Sequence, residues 1–233
     1  MEDVYKIIGW AIVPFTLYCS GCNTTSSAIP IHNDPFTSIW LTFDKAGETP
    51  HRHPYTLTAD AMAKILAGVQ VEERDTISGL GLFGSKDDKP AFSQGEIGRL
   101  GRHLIEALKK ASPKDMATFY MVVSDANHKR SITSGGMFVD SQGRMHITLA
   151  NWRSTPSGGQ DYTTAMEVDT RDEPLLPISP FRFRVGFQPN EAWLKTRQAR
   201  GEARFPAYRS AYGDPAKSIV IELDYLLKQD EPH

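Results

Sequence analysis

The chain has 233 residues, 40% hydrophobic and 23% charged, with a formal net charge of −2 at pH 7. That length suits a single core, and so even a charge balance gives no reason to expect nucleic acid as a partner. Cysteine occurs only at Cys19 and Cys22, so a domain lying beyond them has no internal disulfide and must be held by its packing.

Residues Ile7 to Tyr18, IIGWAIVPFTLY, form an apolar run with the length of the central region of a secretory signal. A bilayer-spanning helix takes about 20 apolar residues, and Pro14 further weakens this run as a permanent helix. Cys19-Ser20-Gly21-Cys22 ends it with small residues directly before a cysteine. This order of parts resembles a bacterial lipoprotein signal, in which a peptidase cuts before the cysteine and the new N-terminus is acylated, with chains of the palmitate type. The resemblance implies that residues 1–21 are removed and that Cys22 holds the protein on a membrane of the cell envelope, facing the periplasm. Asn23 is not the aspartate that marks inner-membrane retention in enteric bacteria, which points to the outer membrane. Three other readings of the stretch stay open: an uncleaved anchor, a C-x-x-C redox pair, and a metal site. The redox pair lacks the helix that should follow it, and two cysteines are too few ligands for a metal.

Residues 22–37 are polar and broken by proline, as expected of a tether. The globular domain is then expected over residues 38–227, with a frayed tail at 228–233. In Ser38 to Asp44, Ile39, Leu41 and Phe43 alternate with polar neighbours and Trp40, which predicts a first strand. Thr58 caps a predicted helix, ADAMAKILAG, that ends at Gly68. Residues 72 to 92 read as a long loop. Gly79 to Gly84 matches G-x-G-x-x-G, but neither a preceding strand nor a following helix is predicted, so the dinucleotide reading fails on context.

Ser93 to Ala111 carries the clearest helical pattern. Ser93 and Glu96 make a capping box, Ile97, Leu100, Leu104, Ile105 and Leu108 share a face, and Lys109 and Lys110 suit the C-terminal end of the dipole. Gly98 and Gly101 lie within it, a pattern that predicts a neighbouring backbone packed close against both. Thr118 to Ser124 is nearly all apolar, as in a central strand covered on both faces. Residues 134 to 152 predict a hairpin turning at Asp140 to Gly143, with one face of its second strand buried and the other, carrying His146, wet. Tyr162 to Val168 predicts a short strand. Phe181 to Gln188 alternates strictly and predicts another, EAWLKTRQARG a short basic helix, and Ser218 to Asp224 a last strand. Strands joined by hairpins around two good helices predict an α+β fold on a mostly antiparallel sheet.

The stretch from His53 to Trp152, with HPYTLTADAMAKILAGVQV, LFG, FSQGEIGRLGRHLIEALKKASP and the TSGGMFV hairpin, resembles a group of predicted bacterial lipoproteins without an assigned activity. The resemblance supports the envelope reading and carries over no reaction.

Catalytic, cofactor and metal motifs do not emerge. There is no G-x-S-x-G, the Ser-Gly-Gly runs at Ser134 and Ser157 fall in predicted loops, and H-E-x-x-H is absent. His51-x-His53 reads as an exposed loop, since a metal there needs a third ligand. Charge is polarised toward the C-terminal part: Arg182, Arg184, Lys195, Arg197, Arg200, Arg204 and Arg209 stand against Glu191 and Glu202, interleaved with Phe187, Trp193, Phe205 and Tyr208. On an exported lipoprotein this composition suits an anionic surface, lipid or protein. The expected function is a membrane-anchored scaffold or docking subunit, bound to the membrane through Cys22 and to an envelope protein partner. The alternative is an envelope-polymer hydrolase whose site is assembled from distant residues.

Overall fold

A computed structural model describes residues 28–44, 49–73, 88–124, 130–155, 170–178, 183–194 and 217–228. Cys22, the G-x-G-x-x-G string, Ser157, Tyr162 to Val168 and the tail 229–233 lie outside the described residues.

The fold is α+β, with three described helices on mostly antiparallel sheet. Six strands, β1 (Ile29–Asn33), β2 (Thr37–Phe43), β5 (Asp115–Ser124), β6 (Arg130–Val139), β7 (Arg144–Ser154) and β9 (Ser218–Glu222), form one sheet in the order β1-β2-β5-β6-β7-β9. Every pairing in it is antiparallel. A second sheet has the order β4-β3-β8, from β3 (Val69–Glu73), β4 (Lys89–Pro90) and β8 (Phe183–Phe187). The helices are α1 (Ala59–Gly68), α2 (Gln94–Lys110) and α3 (Leu223–Lys228).

Strand register explains the layering. Residues directly opposite one another share a face, and Leu41, Ala117, Met137, Ile147 and Ile219 fall in one row across five strands. All five are buried in one apolar cluster with Met62, Ile65 and Leu66 of α1 and Leu100, Leu104 and Leu108 of α2. The adjacent row, on the opposite face, is Trp40, Thr118, Gly136, Thr148 and Ser218. That face is covered too: Leu175 sits over Gly136, and Met116, Phe138, Ala150 and Leu175 form a smaller apolar cluster of their own.

Helix termini follow the sequence. The Ala61 N–H donates to Thr58 Oγ1 at 3.1 Å, and Ser93 with Glu96 forms the full capping box. Glu96 does more than cap, because the Arg153 guanidinium reaches its buried carboxylate at 2.9 Å and ties the start of α2 to the end of β7. Arg153 reaches it from a left-handed backbone, φ 46°, uncommon for a residue with a Cβ. Gly143 closes the β6–β7 turn at φ 81°, where glycine is favoured.

Several expectations need correction. Ile29–Asn33, expected within the tether, is the edge strand β1, held on β2 by main-chain pairing that its short length and Pro30 disguise. Both faces of β7 are buried rather than one, since residues 170–178 pack on the second. Ser218 to Asp224 is strand only to Glu222, after which Leu223 and Leu226 turn into the core on α3. The described start of EAWLKTRQARG is a 3-10 turn over Asn190–Ala192 followed by a bridge from Trp193 to Ile221, and the rest of that expected helix, from Lys195 on, lies outside the described residues.

The paired-glycine expectation is also overturned. A Cβ on Gly98 would meet nothing within 4 Å, and one on Gly101 would touch only the Met62 side chain, at 3.6 Å. The close backbone approach lies instead at Gly135, where a Cβ would come 2.1 Å from the Thr148 carbonyl oxygen. Gly98→Ala should therefore stabilise the protein by about 1 kcal/mol through helix propensity. Gly135→Ala should destabilise it by about 3 kcal/mol, the upper end for overpacking. Urea unfolding of the two variants checks both signs.

Candidate functional site

Among the described residues, a group of buried titratable side chains lies at one end of the six-stranded sheet, where β2 and β6 end and β5 and β7 begin. The segment from residue 49 to Thr58 wraps this end. It is pinned by backbone bonds from His51 N–H to the Pro113 carbonyl, from Arg52 N–H to Val139 and from Tyr55 N–H to Leu108. These bonds turn His51 and His53 inward.

His51 Nε2 lies 3.1 Å from Asp44 Oδ2, and its ring stacks on Phe138 with centroids 4.1 Å apart. His146, opposite Phe138 on β7, stacks with the same ring at 4.5 Å and 8°. Its Nε2 meets Asp140 Oδ2 at 2.9 Å. The result is an Asp-His-Phe-His-Asp assembly, with Phe138 as the ring common to both stacks.

Asp140 is the most heavily bonded carboxylate of the group. Its Oδ1 accepts from the backbone N–H groups of Gln142 and Arg144, and its Oδ2 from the Arg144 guanidinium at 2.7 Å. Burial favours the neutral acid, but the hydrogen bonds from His146 and Arg144 outweigh it and hold Asp140 well below the usual carboxylate range. An ionised carboxylate only accepts, so His146 carries a hydrogen on Nε2, while its buried Nδ1 has no hydrogen-bond partner among the described residues.

His53 is buried beside this assembly, its ring edge-on to His51 at 5.8 Å. Its Nε2 accepts from the Val139 N–H at 3.4 Å. Burial, reinforced by the nearby His51, lowers its pKa to about 4, against weaker opposing influences from Asp115 and the Leu108 backbone.

Chemically, an aspartate-oriented imidazole is a general base only where substrate reaches it. Here the His51 and His146 side chains are 4% and 3% exposed. No serine hydroxyl is bonded to either ring among the described residues; Ser134, of the first Ser-Gly-Gly run, is fully buried on β6 and accepts from Asn151 Nδ2 at 2.9 Å. No group of three or more His, Cys, Asp or Glu with metal-binding geometry exists among the described residues. The assembly as described is a polar strut joining the 49–58 segment to the β6–β7 hairpin.

The expected exposed positions of His51, His53 and His146 are thus corrected: all three are buried, because the 49–58 segment folds over the sheet end and the second face of β7 is covered. Asp44 and Asp140 were not singled out by sequence reasoning. Asp140 reads there as an ordinary turn residue, and only its position six residues before a strand histidine hinted at a pair. Of the basic residues expected to form a surface, Arg184 alone is described; it is exposed on β8, opposite Glu72 of β3. Arg182, Lys195, Arg197, Arg200, Arg204 and Arg209 lie outside the described residues, as does the lipidation candidate Cys22.

No family model matches the chain, and no curated protein or solved structure matches it. No described helix is long and apolar enough to cross a membrane.

The lowered pKa of His53 has a thermodynamic consequence. An unfolded histidine titrates near 6.5, so between that value and about 4 the unfolded chain binds the extra proton. The stabilisation is complete above pH 6.5 and is lost as pH falls toward 4, on the order of 3 kcal/mol in all. In His53→Gln, whose amide oxygen can still accept from Val139, stability measured by urea unfolding should vary less across this window than in the parent.

Proposed function

We propose that this chain is a lipid-anchored envelope protein whose domain acts as a non-enzymatic scaffold or docking subunit of a membrane-associated complex. The observation that carries the reading is the spacing between anchor and fold. Cys22, at the end of the signal-like stretch, precedes the first residue of β1, Ile29, by only a few positions, and β1 belongs to the main sheet. A partner engaging the domain would therefore be held at the membrane. The inward-facing histidines and aspartates fit the same reading, since they join structural segments and are closed to substrate among the described residues.

The hydrolase alternative draws on one specific observation, the two Asp-His pairs converging on Phe138. It needs a cleft that admits a polymer to those rings, and their burial weighs against it.

Intact-mass analysis of the protein from native membranes should give a chain that begins at acylated Cys22, and Cys22→Ala should release it from the outer-membrane fraction. A chain that starts at Met1 without acyl groups would refute the anchor. Crosslinking in the same membranes should recover a defined envelope protein; hydrolysis of envelope polymer that is abolished in His146→Gln would instead establish the alternative.

A further inference from the structure

Resting on the lipid-anchor reading, we propose that the sheet end at which β1 begins is the surface this domain sets against anionic phospholipid head groups. In the antiparallel sheet the start of β1, the end of β2, the start of β5, the end of β6 and the start of β7 lie together. Two of the five exposed large apolar side chains among the described residues are here: Ile29, 54% exposed, and Phe43, 39% exposed. Ile29 stands opposite Leu41, two residues from Phe43, so the pair borders one corner of the sheet.

Cations surround that corner. Lys114 adjoins Phe43, since the Asp44 N–H donates to the Lys114 carbonyl. Lys109 and Lys110 end α2 just before it, and Arg52 is tied to Val139 at the end of β6; all four are exposed. The carboxylates of the same end are differently disposed. Asp44 and Asp140 are buried against His51, His146 and Arg144. Asp115 accepts from the Ser112 N–H, and Glu106 pairs with Lys110 at 2.7 Å. With Asp44 and Asp140 turned inward, Glu106 paired with Lys110, and Glu222 and the exposed Asp224 at the opposite, β9 edge of the sheet, the surface beside Phe43 is cationic with an apolar corner, the composition that seats on an anionic interface.

Chain length selects this end over the other. Seven peptide steps from Cys22 to Ile29 reach at most about 25 Å, which is shorter than the roughly 33 Å of a ten-residue strand such as β5. An acylated Cys22 therefore holds the Ile29 corner near the lipid. The far end, with the β1–β2 turn and the exposed Phe36, stands away from it.

Phe43 and Phe36 provide a built-in comparison. The full lipidated protein, carrying a nitroxide at Phe43→Cys or at Phe36→Cys, is reconstituted in vesicles of phosphatidylglycerol and phosphatidylcholine. Accessibility to oxygen relative to a water-soluble nickel chelate is then read by electron paramagnetic resonance. The ratio should be several-fold higher at Phe43 than at Phe36. It should fall to the Phe36 level in phosphatidylcholine alone, or when Lys109, Lys110 and Lys114 are replaced by glutamine, each lysine contributing roughly fivefold to association with the anionic surface. Equal ratios at the two positions in anionic vesicles, or a higher one at Phe36, would overturn the assignment. The intact mass of the same preparation separates the two levels: an acylated Cys22 with equal ratios removes this surface and leaves the anchor, and a chain without acyl groups removes both.

Discussion

Strands β5, β6 and β7 are buried on both faces, and most of the architecture answers that constraint. A sheet with one wet face needs one cover, whereas this one needs two. The first is supplied by α1 and α2, whose apolar faces meet the Leu41 to Ile219 row. Its alignment is fixed at the N-terminus of α2, where one carboxylate, Glu96, accepts from the Ser93 N–H at 2.6 Å and from Arg153. A buried carboxylate is tolerated there because it is both charge-paired and hydrogen-bonded.

The second cover has no helix among the described residues. Residues 170–178 lie on it, and a single buried side chain holds them: Asn151 donates to the Leu176 carbonyl at 2.8 Å, accepts from the Ile178 N–H at 2.9 Å and donates to Ser134. Arg171 fastens the same segment to the β1–β2 turn through the Asp34 and Pro35 carbonyls. Toward the other end of this face, Phe138 between His51 and His146 continues the cover with stacked rings, and each flanking aspartate is hydrogen-bonded to the Nε2 of its imidazole. Polar side chains here do the work that apolar packing does on the helix face.

Charge is sorted by the same geometry. At the sheet end near β1, Asp44 and Asp140 point inward to histidine and arginine, while lysines at the end of α2 and beside Phe43 point outward. A chain with nearly equal numbers of acids and bases thereby acquires a locally cationic surface without a basic composition. The arrangement joins the anchor reading to the fold, because the strand nearest Cys22 borders that surface.

Local physics made much of this legible from sequence. Helical period and caps placed α1 and α2 closely, because the Thr58 and Ser93 caps are decided within four residues. Alternation placed β2, β8 and the β6–β7 hairpin, because side-chain period in a strand is a property of the strand alone. Edge strand β1 and the short β3 and β4 were not legible, since their pairing partners are distant and their compositions weak. The signal-like stretch ending at Cys22 is likewise a sequence property, and the address it implies needs no fold. What only the tertiary structure decided is which polar residues are inside. His51, His146, Asp44 and Asp140 look like loop and surface residues one at a time. Their meeting depends on the 49–58 segment closing over one sheet end and on a second cover for β7, and such long-range burial leaves no periodic trace in the sequence around any one of them.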